Sequence, residues 1–485
     1  MPSPNPPISS FAGKKVIVMG LGHFGGGLGA AQWLVSQQAQ VIVTDAAVAE
    51  KLAEPLRALQ GLPITYRLGG HDAADLAHAD LLVVNPAVER TQSAFVQAAL
   101  QAGVPATTEM NLFLERCCAQ TIGITGSVGK STTTALIYEA LKAALGQTSV
   151  ASGQCSEHPP TDHRPLTTDH ASVFLGGNIG RSLLFDLPSI RPQDFVVLEL
   201  SSFMLEETPQ IRWSPHVAIV TNIFPNHLDR HGTMEAYTAA KQNILRFQTP
   251  NDIAVLNGDH ELVSRWDGLA RGKAVHFTAR DPAAHLDLAM PGAHNQSNAA
   301  AALAVLEALQ IPLDRPAALR ALRQFPGLAH RLQCVHTLDL PGAPPRRLRF
   351  YNDSKATSPD ASVTAVEAFA PGRAIFIVGG YDKHLPPESF DAFDRLMARR
   401  ALAVVGIGQT GWAMIDRIQN HAAAPSYLRA QYAQILDQAV PLAHAWAGEL
   451  GAEAVVLSPA SASWDQFPNY EKRGDLFAEL ARKLA

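Results

Sequence analysis

Eight residues from Thr125 to Thr132, Thr-Gly-Ser-Val-Gly-Lys-Ser-Thr, carry the sharpest chemical signal in the sequence. An apolar run precedes them and an Ala/Leu-rich segment follows, which predicts a strand, a phosphate-binding loop and a helix. Backbone amides of such a loop cradle phosphates, while Lys130 can reach the β- and γ-phosphate oxygens and Ser131 can hold Mg²⁺. Ile124 replaces the first glycine of the strict motif, so the loop is a compact form. We predict ATP binding by Gly126, Ser127, Val128, Gly129, Lys130, Ser131 and Thr132.

Two further polar residues follow apolar, β-branched runs. Glu199 comes near the end of the run 195–200, and His227 lies in the polar cluster 226–231 that follows the run 217–222. Because parallel strands end at the same edge of a sheet, both side chains are expected at the ligand edge, where a metal-binding carboxylate accompanies a phosphate loop. For Glu199 alone, a solvated acid at a strand end is an equal alternative. For His227 the alternative is a loop residue bonded to backbone, and the dense polar cluster favours function.

A glycine-rich loop near the N-terminus predicts a second nucleotide site. Gly20-Leu21-Gly22-His23-Phe24-Gly25 follows the run 16–19, and Asp45 ends the next run. These glycines allow a tight turn beside a helix N-terminus, and the acid can accept a ribose hydroxyl. The pattern indicates a nucleotide diphosphate but does not distinguish NAD from a UDP-sugar. A similar pattern at 406–411 lacks the acid, and we interpret it as an ordinary strand–helix turn.

Three polar turns follow strands in the last third of the chain, at 352–357, 379–383 and 458–463. Each turn alone is unremarkable in composition. Placed together at one sheet edge, their Lys, Thr and Ser donors would form a small pocket for an anionic substrate.

The elements that must position these residues alternate along nearly the whole chain. Short apolar runs alternate with Ala/Leu-rich segments, which predicts βαβ units, parallel sheets and an α/β fold. The runs are 16–19, 41–44, 81–84, 121–125, 195–200, 217–222, 375–378, 403–406 and 454–457. Domain boundaries are predicted near residues 110 and 328. Residues 151–172 are interpreted as a solvated insertion rather than a metal site, and 340–345 as a hairpin turn.

Length and composition limit the class of protein. The 485 residues suggest about three domains, and the net charge of -5 argues against binding nucleic acid or an anionic membrane through bulk charge. The 4 cysteines have the spacing of neither a disulfide framework nor a zinc module. No apolar stretch approaches the roughly 18 residues of a membrane span, and the Pro-rich N-terminus lacks an apolar signal core. We expect a cytoplasmic protein.

Taken in order, these motifs resemble the Mur ligases, and among them the members that add D-glutamate during peptidoglycan synthesis. The most specific pieces are 177–180, 198–203, 227–230, 352–357 and 465–474. The resemblance implies a UDP-sugar-binding Rossmann-like domain (1–110), a central P-loop ATPase-type domain (111–328) and a Rossmann-like amino-acid-binding domain (329–485). It also implies that ATP phosphorylates the carboxylate of UDP-N-acetylmuramoyl-L-alanine, and that the amine of D-glutamate attacks the acyl phosphate. Mg²⁺ is the expected cofactor, with two ions per site, and we expect a monomer.

The resemblance also implies residue roles, carried over position by position. Lys130, Glu199, His227 and Lys241 would be catalytic; Ser131, Glu199, His227 and a carbamylated Lys241 would hold metal. Asn295 and Asn298 would lie over the adenine side of ATP, and Arg331 and Asp353 would be interdomain contacts to the nucleotide. The substrates would meet Gly22, His23, Phe24, Asp45, Asn178, Ser201, Thr357, Lys383, Ser463 and Tyr470.

The sequence departs from the pattern of the family at several positions. Asp45 is followed by Ala46 and Ala47, where some members have a polar or basic residue. Val128 stands where Asn is usual in the family. Tyr470 stands where Phe is frequent, and Ser461 stands where Cys is common. These changes concern uracil and glutamate recognition rather than the ligation chemistry. Three alternatives stay open: a sister ligase for L-glutamate or another amino acid, an NAD-dependent oxidoreductase, and a non-catalytic nucleotide sensor. The oxidoreductase leaves the Lys130 loop without a role, and a sensor would be expected to carry lesions that are not found here.

Overall fold

The computed structural model describes residues 8–21, 26–146, 171–281, 285–340, 346–381, 383–384, 386–426 and 428–484. Most of the predicted insertion at 151–172 therefore lies outside the described residues. The described residues form three sheets, and the chain divides into two compact units, one of Met1–Ala284 with Ser297–Ala321 and the other of His285–Gln296 with Leu322–Ala485. The predicted α/β fold class is confirmed, while the functional boundaries near 110 and 328 stay predictions.

The first sheet is parallel and has the strand order β3-β2-β1-β4-β5. Its strands are β1 (Lys15–Met19), β2 (Gln40–Asp45), β3 (Ile64–Leu68), β4 (Leu81–Val84) and β5 (Ala106–Thr107). Val16 and Val18 face one hydrophobic core, and Ile17 and Met19 face another. This alternation explains the continuous apolar run, because a parallel sheet is covered on both faces.

The second sheet, in the same compact unit, is also parallel and has the order β11-β10-β9-β6-β8-β7. Its strands are β6 (Gln120–Thr125), β7 (Val173–Gly177), β8 (Phe195–Glu199), β9 (Val217–Val220), β10 (Ile253–Asn257) and β11 (Lys273–Phe277). The central strand β6 lies between β8 and β9, so the carboxyl ends of these three strands meet at one edge.

The third sheet, in the other unit, has the order β12-β13-β17-β14-β15-β16. Its strands are β12 (Gln333–Leu340), β13 (Arg346–Asn352), β14 (Ala374–Val378), β15 (Ala403–Ile407), β16 (Arg429–Gln434) and β17 (Ala454–Leu457). The first two strands pair antiparallel, as the predicted hairpin requires, and the others are parallel. Residues 341–345 of the predicted turn lie outside the described part.

Helices cover the sheets, and several of them begin directly after loops that carry polar residues. They are α1 (Gly26–Ser36), α2 (Ala53–Ala58), α3 (Ala94–Gln101), α4 (Glu109–Leu114), α5 (Lys130–Ala144), α6 (Ser202–Glu207), α7 (Leu228–His231), α8 (Met234–Arg246), α9 (Ala293–Ala308), α10 (Arg315–Gln324), α11 (Pro359–Glu367), α12 (Asp391–Arg400), α13 (Gly408–Gln419), α14 (Leu436–Leu450) and α15 (Tyr470–Arg482). None of the helices within the described ranges is long and apolar enough to cross a bilayer.

Candidate active site

The predicted phosphate loop connects β6 to α5, as its sequence pattern requires. Gly129 caps the helix in the left-handed region (φ 83°), where a residue without Cβ is favoured. A Cβ on Gly126 would lie 1.9 Å from Thr221 Oγ1, so the close approach of the loop to the next strand also demands glycine. Lys130 Nζ donates to the carbonyls of Gly126 (2.9 Å) and Ser127 (3.1 Å). The ammonium therefore lies over the loop that would surround a phosphate.

The loop is held from the segment that follows β9. Asn222 Oδ1 accepts from the amides of Ser127 (3.1 Å) and Val128 (2.9 Å), and Asn222 Nδ2 donates to the Val128 carbonyl (3.0 Å). Thr221 Oγ1 donates to the same carbonyl (2.9 Å). The side-chain amide of Asn222 thus holds the loop backbone, a role that sequence reasoning missed although the residue ends the predicted apolar run 217–222. Ser131 and Thr132 are the second and third residues of α5.

Lys241 lies against the same loop, as a buried side chain with 1% exposure. Its Nζ donates to the carbonyl of Gly126 (2.9 Å) and to Thr125 Oγ1 (3.2 Å). Burial lowers the pKa of the Lys241 ammonium to about 7; the positive charge of Lys130 acts in the same direction, and Glu199 opposes it. A substantial fraction of Lys241 is therefore a neutral amine near pH 7, which is the nucleophilic form.

Tyr237, one turn before Lys241 on α8, connects this region to the phosphate loop, and sequence reasoning did not single it out. Its hydroxyl is 2.9 Å from Ser127 Oγ, and Lys241 Nζ lies 4.9 Å from the centre of its ring. Residues i and i+4 share one helix face. The sequence Glu-Ala-Tyr-Thr-Ala-Ala-Lys therefore contained a signal for the pair.

Glu199 ends β8 and is 2% exposed. Asn178 Nδ2 donates to Glu199 Oε1 (2.9 Å), whereas Glu199 Oε2 has no hydrogen-bond partner among the described residues. A buried carboxylate oxygen without a partner is costly, and a divalent cation is a suitable partner for it. No group of three or more His, Cys, Asp and Glu that could hold a metal is found in the described ranges. Mg²⁺ commonly takes only one or two protein carboxylates and completes its shell with phosphate and water oxygens, so the donor set fits this ion.

Residues near Glu199 carry the substrate-side predictions. Gly177 is left-handed (φ 94°), and a Cβ there would lie 2.2 Å from the Glu199 carbonyl. This glycine allows the backbone amide of Asn178 to donate to that carbonyl (2.8 Å). Ser201 is the N-cap of α6, and its Oγ accepts from the Met204 amide (3.2 Å). Its hydroxyl thus orders the start of the helix after Glu199.

His227 is an exposed residue just before the short helix α7, in the left-handed region with φ 54°. Its ring centre lies 5.0 Å from that of Phe203. Phe203 also stacks on His231 (5.3 Å, 11°) and receives the Arg230 guanidinium over its face (4.0 Å). His231 is tied to α6 through Ser202 Oγ (2.9 Å). The aromatic cluster restricts the imidazole of His227, and the predicted metal role of His227 stays a prediction.

The two asparagines predicted on the adenine side both lie on α9. Asn298 Oδ1 accepts from Thr133 Oγ1 (3.1 Å), and a Cβ on Gly129 would lie 2.6 Å from the same oxygen. The structure thus places Asn298 directly behind the phosphate loop. Asn295 Nδ2 donates to the carbonyl of Pro291 (2.7 Å).

Asp45 accepts hydrogen bonds from Leu21, at the described start of the N-terminal glycine loop, and from Ala47. Asp45 Oδ2 accepts from the amide of Leu21 (2.9 Å), and Oδ1 accepts from the amide of Ala47 (2.8 Å). The carboxylate predicted to meet a ribose hydroxyl therefore also orders its own loops, with lone pairs to spare. Gly22, His23 and Phe24, also predicted to meet substrate, lie outside the described residues.

In the second unit, the structure brings the predicted Lys383 and Thr357 together. Lys383 Nζ donates to the Thr357 carbonyl (2.9 Å). Ser463 is buried, and its carbonyl accepts from the amides of Gln466 and Phe467 (3.1 and 2.8 Å). Tyr470 begins α15. Burial, reinforced by Glu471, raises the pKa of the Tyr470 hydroxyl to about 12, so it remains a donor at neutral pH.

Asp353, predicted to contact nucleotide, is buried just after β13. Ser458 Oγ donates to its Oδ2 (2.7 Å) and the Leu332 amide to its Oδ1 (3.2 Å). Burial raises the pKa of the Asp353 carboxyl to about 7, although these bonds and the charge of Arg331 act to lower it. Arg331 itself is exposed. The charge of Arg331 therefore acts on the Asp353 carboxyl, and the nucleotide role of both residues stays a prediction.

Arg473 is a structural residue of this unit that sequence reasoning quoted but gave no role. It is 1% exposed and donates to Ser354 Oγ (3.0 Å) and to the carbonyls of Ser354 (2.9 Å), Ser461 (3.0 Å) and Ala462 (2.9 Å). Burial lowers the pKa of its guanidinium to about 10, opposed by Asp465. One side chain thus joins two of the three predicted substrate turns.

The second glycine pattern, at 406–411, has a packing explanation. A Cβ on Gly406 would lie 2.6 Å from the Gly411 carbonyl, so the turn needs glycine for close packing. The amide of Gln409, in the first turn of α13, donates to Asp465 Oδ2 (3.0 Å). A carboxylate of the protein itself thus lies at the helix N-terminus where a phosphate would bind, which agrees with the interpretation as an ordinary turn.

Comparisons with known proteins show which family this sequence is similar to. Residues 14–108 match the family model of the Mur ligase MurD-like N-terminal domain, and residues 124–287 that of the Mur ligase middle domain. A UDP-N-acetylmuramoylalanine--D-glutamate ligase of Geobacillus kaustophilus is 36% identical, over 99% of both chains. Relatives of the same name from Acidobacterium capsulatum (36%, over 96% of both chains) and Acetivibrio thermocellus (33%, over 97% of both) are similar along the whole chain.

A solved structure agrees at the level of the fold. MurF from Acinetobacter baumannii aligns with a TM-score of 0.51 and 17% identity, over 96% of this chain and 93% of that one. At this identity the similarity shows the fold alone. The full-length sequence relatives carry the assignment further, and they confirm the resemblance drawn from the motifs. The chain belongs to the Mur ligase family, in the group of the UDP-N-acetylmuramoylalanine--D-glutamate ligases.

Proposed function

We propose that this chain joins D-glutamate to UDP-N-acetylmuramoyl-L-alanine with consumption of ATP, in peptidoglycan precursor synthesis. The names of its full-length relatives support the substrates. The observation in the structure that supports the chemistry best is the phosphate loop with Lys130 and Lys241 on the Gly126 carbonyl. A cationic Lys130 at this loop suits a reaction in which negative charge moves between phosphoryl and carboxylate oxygens, and the buried Lys241 lies beside it.

The reaction proceeds through an activated carboxylate. A carboxylate is a poor electrophile, so the γ-phosphoryl group first moves from ATP to an oxygen of the alanine carboxylate, giving ADP and an acyl phosphate. The amine of glutamate then attacks the carbonyl carbon, and the tetrahedral intermediate expels phosphate while the nitrogen loses a proton. Lys130 contacts the transferring phosphoryl group and offsets its charge. Asn178 and Ser201 orient the acceptor, and Asp45 with the loop 20–25 holds the UDP end.

Ser131, Glu199 and His227 are the residues that would hold Mg²⁺. When bound, two Mg²⁺ ions neutralise charge on the phosphate oxygens. The buried Oε2 of Glu199, which has no hydrogen-bond partner among the described residues, supports this role. Lys241 would supply a further carboxylate after carbamylation, in which its neutral amine adds to carbon dioxide and loses a proton. The burial of this amine beside neutral oxygens and its lowered pKa support that reaction.

The second unit binds glutamate and part of the nucleotide. Lys383, Thr357, Ser463 and Tyr470 supply the donors that two carboxylates of glutamate need. The proposed nucleotide contacts are Asn295, Arg331 and Asp353 in this unit, together with Asn298, which belongs to the first unit. We further propose that the protein acts as a monomer in the cytoplasm, where its nucleotide substrates are available.

The test measures phosphate release and product mass with purified protein, ATP, Mg²⁺, UDP-N-acetylmuramoyl-L-alanine and either enantiomer of glutamate. Product is expected with D-glutamate and none with Lys130→Ala. The matched control is Lys142→Ala on the same helix, whose ammonium lies over Tyr138 (4.8 Å) instead of the loop and whose removal should leave turnover unchanged. Product with L-glutamate or another amino acid alone would identify a sister ligase instead. Phosphate release with neither enantiomer would refute the proposal.

A further inference from the structure

Trp464 is a large aromatic side chain left mostly in water. It is 63% exposed and lies in the loop after β17, directly after the buried Ser463. Tryptophan is strongly buried on average, so an exposed indole beside a predicted substrate residue calls for an explanation.

The contacts of Trp464 connect two of the loops at the carboxyl edge of the third sheet. Its ring centre lies 5.6 Å from that of Tyr381, and the Lys383 Nζ lies 5.8 Å from it, within the roughly 6 Å of a cation–π contact. The Tyr381 amide donates to the Ala462 carbonyl (2.8 Å), forming an isolated antiparallel bridge. The backbone therefore fixes the loop of Trp464 to the loop that carries the lysine.

Lys383 is held from a second side by the loop of Thr357. Its ammonium has three donors, and the Thr357 carbonyl accepts from it at 2.9 Å. A lysine on a flexible four-carbon stem loses much rotamer freedom when it must meet a ligand. An indole face and a carbonyl that restrict the ammonium beforehand reduce that loss, and an anion meets a charge already in position.

We propose that Trp464 is a positioning residue that orients the Lys383 ammonium toward a carboxylate of the glutamate substrate. The inference rests on the proposed function, because it takes glutamate as the occupant of this pocket. Trp464 acts through Lys383, with Tyr381 packed against the indole. Trp464 should therefore affect the binding of the amino acid and leave the nucleotide substrates unaffected.

The molecule offers a matched control in Trp412. It is 62% exposed, lies in the same compact unit on α13, and has no recorded aromatic or cationic contact among the described residues. We compare Trp464→Leu, Trp464→Phe and Trp412→Leu, measuring KM for each of the three substrates and kcat. Tryptophan fluorescence during titration with D-glutamate, with ADP and UDP-N-acetylmuramoyl-L-alanine present, supplies a readout without turnover.

Trp464→Leu should raise the KM for D-glutamate about two- to fivefold, the range expected from an exposed cation–π contact. The other two KM values and kcat should stay within about twofold, a split that a general folding defect would not give. Trp464→Phe retains an aromatic face and should recover most of the loss, and Trp412→Leu should resemble the wild type. The wild-type fluorescence change on adding D-glutamate should disappear in Trp464→Phe and persist in Trp412→Leu.

An unchanged KM for D-glutamate in Trp464→Leu would overturn the proposal, as would an equal rise in Trp412→Leu or a parallel loss for all three substrates. These outcomes presuppose a wild-type enzyme that ligates glutamate. Failure of the wild type to do so would refute the proposed function itself, and with it the substrate named here, so the two failures are distinguishable.

Discussion

Glu109 offers a test of the energetics of the first unit, because it is a buried carboxyl that no reaction step requires. It begins α4, and Ser182 Oγ donates to its Oε1 (2.5 Å). Ser182 also faces α1, since a Cβ on Gly29 would lie 2.5 Å from Ser182 Cβ. Glu109 therefore holds Ser182, the residue that packs against Gly29 of α1, the helix after the N-terminal glycine loop. The perturbation is Glu109→Gln, which stays neutral at every pH and retains an oxygen for the serine.

The size of the expected change in the free energy of unfolding follows from the pKa of this carboxyl. Burial raises that pKa from 4.5 to about 7, while the hydrogen bond from Ser182 opposes the rise. Between these values the folded state binds more protons than the unfolded state, so the free energy of unfolding falls as the pH rises from about 4.5 to above 7. One pKa unit corresponds to about 1.4 kcal/mol, so ionising Glu109 inside the fold costs about 3 kcal/mol. Glutamine does not ionise, and the variant loses this pH dependence.

The assay is urea unfolding of both proteins at pH 5, 6, 7 and 8, followed by circular dichroism. The free energy of unfolding of Glu109→Gln minus that of the wild type should increase by about 2 to 3 kcal/mol from pH 5 to pH 8. A constant cost of burying the amide would shift this difference equally at every pH and leave its increase from pH 5 to pH 8 intact. Glu261→Gln, at an exposed pair with Arg265, is the control and should give a flat difference. A flat difference for Glu109→Gln would refute the reasoning, since the carboxyl would then ionise equally in both states.

Three further predictions concern the site. Glu199→Gln should weaken Mn²⁺ binding at least about tenfold by electron paramagnetic resonance, because a buried carboxylate is the best local anion for the ion; unchanged affinity would place the metal elsewhere. Gly126→Ala should abolish ATP binding by calorimetry, because its Cβ would lie 1.9 Å from Thr221 Oγ1, and normal binding would contradict the predicted loop. Arg473→Met should lower the free energy of unfolding of the second unit by at least about 3 kcal/mol, because four buried oxygens each lose a hydrogen bond from the guanidinium. A loss below about 1 kcal/mol in urea unfolding would show that water replaces the guanidinium.

The strand runs predicted from the sequence all lie inside the sheets rather than at their edges, although one internal strand, β10 (Ile253–Asn257), was missed. All nine predicted strand runs coincide with observed strands, because a strand buried on both faces must be apolar throughout. The strands that were missed include β3 (ITYRL), in which buried and exposed positions alternate, and β16 (RAQYAQ), which is mostly polar. Both lie at sheet edges, where solvent covers one side and the period-2 signal is short.

Prediction of the site was limited for a different physical reason. Residues at the end of a strand or in the loop after it, such as Glu199 and Lys130, could be found from spacing, because strand ends converge at one edge whatever the rest of the fold does. Tyr237 contacts Ser127, which lies 110 positions earlier in the chain. Arg473 contacts Ser354, which lies 119 positions earlier. No local pattern encodes such pairs. The supporting residues of a ligase site therefore become visible only once the chain is folded, and variants of them are the most informative test of this structure.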